Sequence, residues 1–194
     1  IDKGFYVIRM GKVTAETLKI NNSKFIDYAN TELRNDFNDI FLLSHCYLYL
    51  GSDSGIYNVP DSFKKQVAFV NFPSINLLGR YHFEKKSPSI FQLIKNNSNK
   101  YLTIKEMLKE KFETSLDIND LNSRNLKIIS NNEEDILNLT KEILSDLNIE
   151  NEEKNYLTKK FNEIYYNSNQ NKNFKHGVPN ISISFLKKYQ NLLN

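Results

Sequence analysis

Short apolar runs, separated by stretches of helical spacing, dominate the first 80 residues of the chain. Four runs rich in β-branched and aromatic residues predict strands, at Phe5–Arg9, Phe25–Tyr28, Cys46–Leu50 and Val67–Asn71. Two intervening stretches predict helices, at Asp36–Cys46 and Gly55–Lys64, and in the second of them Pro60 must lie near the first turn or kink the helix. Strands that alternate with helices of about ten residues are typical of βαβ units. The pattern therefore predicts an α/β fold whose parallel sheet is covered on both faces.

The first predicted helix carries its apolar residues at helical spacing. Phe37, Ile40 and Phe41 fall on one side, together with Ser44 or His45. Asp36, which comes just before this series, is the predicted N-cap. An apolar side of this kind is typical of a helix that packs on a sheet.

The second part of the chain has a different pattern, in which helical spacing predominates. A capping-box pattern opens a predicted helix at Thr103. Three later helices are predicted from Asn132 to Leu147, from Asn151 to Tyr166 and from Ser182 to Leu193. The sequence therefore predicts a division into residues 1–80, an α/β core, and residues 81–194, a mostly helical completion of the same domain.

Composition and charge exclude several classes of protein. The 194 residues are 40% hydrophobic, which permits a packed core and excludes a wholly disordered chain. The formal net charge of +3 is too small to argue for nucleic acid as a partner. A single cysteine, Cys46, cannot form an internal disulfide, and its apolar neighbours predict an inert thiol. The three histidines have no metal-ligand spacing, so the sequence predicts no metal site.

The turn Gly51-Ser52-Asp53-Ser54-Gly55 is the strongest candidate for chemistry. It follows a predicted buried strand and precedes a predicted helix. Backbone amides at a helix start have no partner of their own, glycine permits close approach, and serine hydroxyls add donors. In open α/β sheets, ligands also bind beyond the carboxyl ends of the strands. An anion site is one interpretation, and an ordinary strand-to-helix turn is the other, because neither the GxGxxG pattern nor a P-loop is present.

The segment Arg9-Met10-Gly11-Lys12 is the second candidate. It lies at the carboxyl end of another predicted strand and therefore at the same edge of the predicted sheet. Arg9 could bind a phosphate or carboxylate with its guanidinium group, and Lys12 could add a point charge. The equal alternative is a structural arginine paired with an acidic neighbour.

A series of short motifs follows a consistent order along the chain: Gly4–Lys12, Ile26–Ala29, Asp36–Phe41, Gly51–Gly55, Pro60, Val67–Asn71 and Ser184–Lys188. In this order they resemble a bacterial group of glycosyltransferases from surface-polysaccharide biosynthesis clusters. More distantly, the strand, turn and helix around Gly51–Gly55 are similar to the donor-binding turn of GT-B glycosyltransferases, including the heptosyltransferases. The resemblance implies a Rossmann-like parallel sheet flanked by helices, with a helical C-terminal extension.

The same resemblance implies a donor-binding site in three parts. The residues that would contact donor phosphate or sugar are Ser52, Asp53, Ser54 and Gly55. Arg9 and Gly11 would line the same edge. Tyr28 and Ala29 would lie near the base of the nucleotide and contact it through their backbone.

The implied enzyme would transfer a sugar from a nucleotide-sugar donor to a glycan or lipid-linked acceptor. In GT-B enzymes the general base usually comes from a separate N-terminal domain, so no catalytic residue is assigned in this chain. No metal or other cofactor is required, because backbone amides and Arg9 can balance the diphosphate charge. The expected location is the cytoplasm, including the inner face of the membrane.

Two other functions are consistent with the sequence. One is a non-catalytic α/β interaction module, which would use the aromatic helix up to Tyr166 and the basic pair Lys187-Lys188. The other is a sugar-nucleotide epimerase of related fold.

The start of the chain suggests a truncation. The chain begins at Ile1 without an initiator Met, and a predicted strand follows almost at once. We therefore expect this chain to be a fragment that lacks the N-terminal domain of the same enzyme.

Overall fold

A computed structural model describes residues 1–12, 16–79, 87–109, 118–145, 152–169 and 177–194. The chain divides into two compact units, Ile1–Cys46 and Tyr47–Asn194. The predicted ranges 1–80 and 81–194 divide the chain at another place.

The first unit contains a small parallel sheet and one α-helix. Its elements are β1 (Val7–Ile8), β2 (Phe25–Ile26), a 3-10 helix (Tyr28–Asn30) and α1 (Asp36–His45). The strands are parallel, as predicted, but each is only two residues long. Val7 is 42% exposed, so the prediction of a buried strand at Phe5–Arg9 was wrong. A sheet of two such short strands is too small to have both faces buried under helices.

Helix α1 differs from its prediction in its cap and in its buried face. Asn35, not Asp36, is the N-cap, and its side chain accepts a hydrogen bond from the backbone N–H of Asn38. Asn and Asp are equally good N-caps, so residue type alone could not decide. The helix buries Leu43 and Ser44, so Ser44 is buried as part of the predicted side, whereas the apolar residues of that side are exposed: Phe37, Ile40 and Phe41. Because apolar residues surround most of this helix, their spacing fits more than one buried face.

The second unit begins with a parallel pair of strands. Strand β3 (Leu48–Gly51) pairs with β4 (Gln66–Phe69), with Tyr49 opposite Val67. Between them lie a 3-10 helix (Gly55–Tyr57) and the short helix α2 (Asn58–Ser62). The predicted helix Gly55–Lys64 is thus present as helical residues from Gly55 to Ser62, the first turn of which is a 3-10 helix. Pro60 lies in the first turn of α2, where its missing backbone N–H costs no hydrogen bond, as predicted.

Further parallel contacts continue beside β4. The backbone N–H of Ile90 donates to the Phe69 carbonyl, and Phe72 forms a parallel bridge with Phe91. Ser89 forms another parallel bridge with Ile181. The part of the chain predicted to be mostly helical also contains β5 (Leu93–Lys95) and β6 (Lys127–Ile129), which are antiparallel. The structure is therefore mixed α/β with small sheets of two strands each, two of them parallel.

Helices enclose the core of the second unit. They are α3 (Ile75–Leu78), α4 (Ile104–Lys109), α5 (Ile118–Ser123), α6 (Glu133–Leu144), α7 (Glu152–Asn169), α8 (Ile183–Lys188) and a terminal 3-10 helix (Gln190–Leu193). The predicted capping box is confirmed, since Thr103 and Glu106 exchange side-chain and backbone hydrogen bonds. Large side chains that are fully buried include Phe69, Phe72, Phe91, Leu108, Leu139 and Phe161. Within the described ranges, no helix has both the length and the apolar character needed to cross a membrane.

Candidate functional site

The first unit brings Arg9 and Ala29 together at the carboxyl ends of its two strands. Arg9 directly follows β1, and its backbone N–H donates to the carbonyl of Ile26 at 2.9 Å. The backbone N–H of Ala29 in turn donates to the Arg9 carbonyl at 3.0 Å. Parallel pairing thus places Arg9 and Ala29 at one edge of the sheet formed by β1 and β2. The backbone N–H of Ala29 is engaged within the chain.

The guanidinium group of Arg9 is paired inside this unit. Its Nη1 lies 3.4 Å from both carboxylate oxygens of Asp27 and donates to the Glu16 carbonyl at 2.8 Å. Asp27 also accepts from the Asn30 amide and from the Leu18 backbone N–H, each at 2.9 Å. These hydrogen bonds, with that from Asn30 the strongest, hold the pKa of Asp27 below its usual value. The alternative of a structural arginine paired with an acidic neighbour therefore describes this geometry.

Gly11 and Tyr28 have structural roles in the same unit. Gly11 has a φ of 137°, a backbone conformation that side-chain-bearing residues rarely adopt. The Tyr28 ring is buried, and its hydroxyl accepts from the backbone N–H of Asn35 at 3.2 Å. Burial raises the pKa of Tyr28. The Tyr28 carbonyl accepts from the backbone and side chain of Thr31. A ligand would have to compete with these contacts.

An open cavity of about 300 Å³ lies in the first unit. Its lining residues are Leu18, Lys19, Ile20, Asn21, Phe25 and Asp27. The sequence analysis did not find it, because most of these residues belong to an irregular connection with no periodic pattern. Asp27, which borders the cavity, is the residue that pairs with Arg9.

The second unit presents the turn Gly51–Gly55 at the carboxyl end of β3. Ser52, Asp53, Ser54 and Gly55 are all exposed. The Ser54 side chain does not cap the 3-10 helix that follows. A Cβ atom built on Gly55 would meet nothing within 4 Å, so this point of the backbone is open to an incoming group. The backbone here is accessible, as the anion-site interpretation requires.

Tyr49 lies directly below this turn and was missed by the sequence analysis. A Cβ atom built on Gly51 would stand 2.5 Å from the Tyr49 hydroxyl oxygen. The same hydroxyl lies 3.5 Å from Ser54 Oγ. Burial, together with the nearby Asp53 carboxylate, raises the pKa of Tyr49. The signal was present in the sequence, because residues two apart on a strand share a face.

The predicted site residues therefore form two groups in two units. The prediction that Arg9 and the turn Gly51–Gly55 lie at one edge of the same sheet was wrong, because β1 and β3 belong to different sheets. Arg9, Tyr28 and Ala29 come together in the first unit, and residues 52–55 form the turn of the second. Among the described residues, no group of three or more His, Cys, Asp or Glu side chains could hold a metal ion. His82 and His176 lie outside the described residues.

Comparison with known proteins adds no relative to this description. No protein-family model matches the chain, and no curated protein or solved structure matches it either. The resemblance of the short motifs to surface-polysaccharide glycosyltransferases stays a prediction.

Proposed function

We propose that this chain carries the donor-binding site of a glycosyltransferase of the GT-B type. The enzyme would transfer a sugar from a nucleotide-sugar donor to a surface-glycan or lipid-linked acceptor at the cytoplasmic face of the membrane. A Rossmann-like arrangement, completed by an N-terminal domain that supplies the general base, belongs to the same proposal. The supporting observation is the exposed, hydroxyl-bearing turn Gly51–Gly55 at the carboxyl end of a parallel strand.

The turn offers the donors that a diphosphate needs. Ser52 and Ser54 carry exposed hydroxyls, and Gly55 leaves the backbone open. These groups would hold the departing diphosphate and lower the barrier to its release. Asp53 suits the hydroxyls of the sugar or ribose, because a carboxylate repels phosphate. The short helices that follow supply less dipole than the predicted ten-residue helix, so the hydroxyls and amides carry the binding.

The observed contacts also change the expected role of the first unit. Arg9 was expected to balance phosphate charge, but its guanidinium group is held by Asp27 and the Glu16 carbonyl. In this proposal Arg9 has a structural role, because its contacts hold together the segments at the carboxyl ends of β1 and β2. The diphosphate would be bound by the turn of the second unit.

The interaction-module alternative depends on the surface of α7. Tyr156 and Tyr166 are 53% and 60% exposed, whereas the opposite side of the helix is buried: Leu157, Phe161 and Tyr165. Lys188, one of the two basic residues of that hypothesis, donates to Glu134 and Asp135 at 2.6 and 2.8 Å. The exposed tyrosines therefore support the interaction-module alternative, whereas the pairing of Lys188 with two carboxylates weakens the basic surface that it requires.

Calorimetry with UDP-, GDP-, CMP- and ADP-sugars tests the proposal on the wild-type chain and on Gly55→Val. We expect one donor class to bind, and the valine to weaken that binding at least ~10-fold by filling the open approach to the backbone. Thermal unfolding should not change, since a Cβ at this position meets nothing within 4 Å.

Ser145→Val is the matched control for that substitution. It places a valine side chain at the exposed C-cap of α6, outside the turn Gly51–Gly55. We expect wild-type affinity from this variant. No binding by the wild type to any donor in the panel, or equal affinity of Gly55→Val, would remove the proposal. Turnover of a free nucleotide sugar without acceptor would favour the epimerase instead.

A further inference from the structure

The hydroxyl of Tyr49 lies at the base of the turn Gly51–Gly55 because of the alternation along β3. Tyr49 and Gly51 are two residues apart and therefore on the same face of the strand. The tyrosine ring extends along the strand and passes over Gly51, where it occupies the space of the missing side chain. Its hydroxyl consequently reaches Ser54 at the far end of the turn.

The Tyr49 side chain is buried, but its hydroxyl has only a weak hydrogen-bond partner. Tyr49 is 9% exposed. Within the part of the chain that the structure describes, its one hydrogen-bond contact is with Ser54 Oγ, at 3.5 Å. Hydrogen bonds between two hydroxyls are usually 2.7–2.8 Å long, so this contact is weak. A phenol with such a weak partner can still donate a strong hydrogen bond to a group that approaches the turn.

The chemistry of the group indicates what it would bind. The phenol of Tyr49 is protonated at neutral pH and serves as a donor, and burial raises its pKa further above the ordinary value. The adjacent turn carries two more hydroxyls and the open backbone of Gly55. A group that accepts several hydrogen bonds at once, as a phosphate does, matches this set of donors.

We propose that Tyr49 is a ligand-binding residue of the turn, whose hydroxyl donates a hydrogen bond to a phosphate oxygen of the bound nucleotide. This inference rests on the proposed donor site and adds a residue that specifies the phosphate part of the ligand. Gly51 is required for this arrangement, because any larger residue at position 51 would displace the Tyr49 hydroxyl.

The same unit contains a matched pair that serves as a control. Tyr165 is also buried, and a Cβ atom built on Gly79 would collide with its hydroxyl, as at Tyr49 and Gly51. Tyr165 lies in α7 and packs on Phe161, whereas Tyr49 lies below an exposed hydroxyl-bearing turn. Tyr165→Phe therefore removes the hydroxyl of another buried tyrosine that lies outside the turn.

Calorimetry of the full chain with the nucleotide sugar that binds tests the inference. Tyr49→Phe should lower the affinity roughly 10- to 100-fold, as expected for one hydrogen bond to a charged group. Tyr165→Phe should bind as the wild type does. Thermal unfolding of each variant, measured alongside, verifies that both remain folded.

Two competitors separate a phosphate contact from a merely structural role. Pyrophosphate should compete less well in Tyr49→Phe than in the wild type, by the same factor as the nucleotide sugar. The unphosphorylated nucleoside should compete equally in both. Equal weakening of both competitors would assign Tyr49 a structural role and overturn the inference. Unchanged affinity of Tyr49→Phe would overturn it and leave the donor site intact, whereas absence of binding to the wild type would overturn both.

Discussion

Asn71 illustrates how one residue fixes the end of strand β4. It adopts a left-handed backbone conformation, with a φ of 51°. Its side-chain oxygen accepts from the backbone N–H of Asn131, and its own backbone N–H donates to the Asn131 side chain, both at 2.6 Å. The Asn131 amide then donates to the Phe91 carbonyl at 2.8 Å. Asn is one of the few residues other than glycine that tolerates this conformation.

Two substitutions at Asn71 separate the backbone contribution from the hydrogen bond. Asn71→Gly keeps the conformation but loses the side-chain acceptor, which should lower the free energy of unfolding by about 1–3 kcal/mol. Asn71→Ala loses the same acceptor and adds left-handed strain, so it should cost a further ~1 kcal/mol. Urea denaturation measures both variants. An alanine variant as stable as the glycine variant would contradict the strain argument.

At the residue scale, the sequence predicted the turn Gly51–Gly55 as a candidate site but gave no role to Tyr49, whose hydroxyl lies beside that turn. Ser52, Ser54 and Gly55 are exposed at the end of a strand, as expected. Tyr49 was missed because it sits inside an apolar run, where a tyrosine is usually a core residue. The pairing of Arg9 with Asp27 was one of two alternatives, and a single sequence holds no information on which residues 18 positions apart will meet.

At the element scale, Glu142 joins α6 to the start of α8. Its carboxylate accepts from the backbone N–H groups of Ile183 and Ser184, at 3.0 and 3.1 Å. It also accepts from the hydroxyls of Ser182 and Ser184, at 2.6 and 3.0 Å. One side chain thus satisfies the first amides of another helix, which would otherwise lack partners.

Glu142→Gln should destabilise the chain by about 1–3 kcal/mol in chemical denaturation. The amide keeps one acceptor oxygen, but it loses the charge that strengthens these hydrogen bonds. Glu163→Gln, at an exposed position in the middle of α7, is the matched control and should lie within roughly 0.5 kcal/mol of the wild type. Equal stabilities of the two variants would show that the Glu142 contacts contribute nothing.

The elements that sequence reasoning predicted best are those with a local signal. The capping box at Thr103 and the helix that begins after Asn132 are both confirmed, because caps are decided within four residues. Strands β5 and β6 were missed, since three residues are too few to show a period of two. The prediction of the apolar side of α1 was wrong for Phe37, Ile40 and Phe41, because packing against segments distant in sequence decides which face of a helix is buried.

At the scale of the whole molecule, the two units differ in how much of their apolar side-chain surface they bury. The first unit exposes many large apolar side chains, among them Tyr6, Leu33, Phe37 and Ile40. The second unit encloses a core of aromatic and aliphatic residues that includes Phe69, Phe91 and Leu139. The α/β class could be predicted from alternating runs. The extent of the sheets could not, because strand pairing depends on contacts far apart in sequence.

The central claim is that the turn of the second unit binds a phosphate-bearing donor. An NMR titration of the ¹⁵N-labelled chain with the same nucleotide sugars tests it most directly, since each backbone amide reports separately. We expect the largest shifts at Ser52–Gly55 and at Tyr49. Shifts centred instead on the cavity of the first unit, at Leu18–Asn21, or no shifts with any donor, would contradict the account.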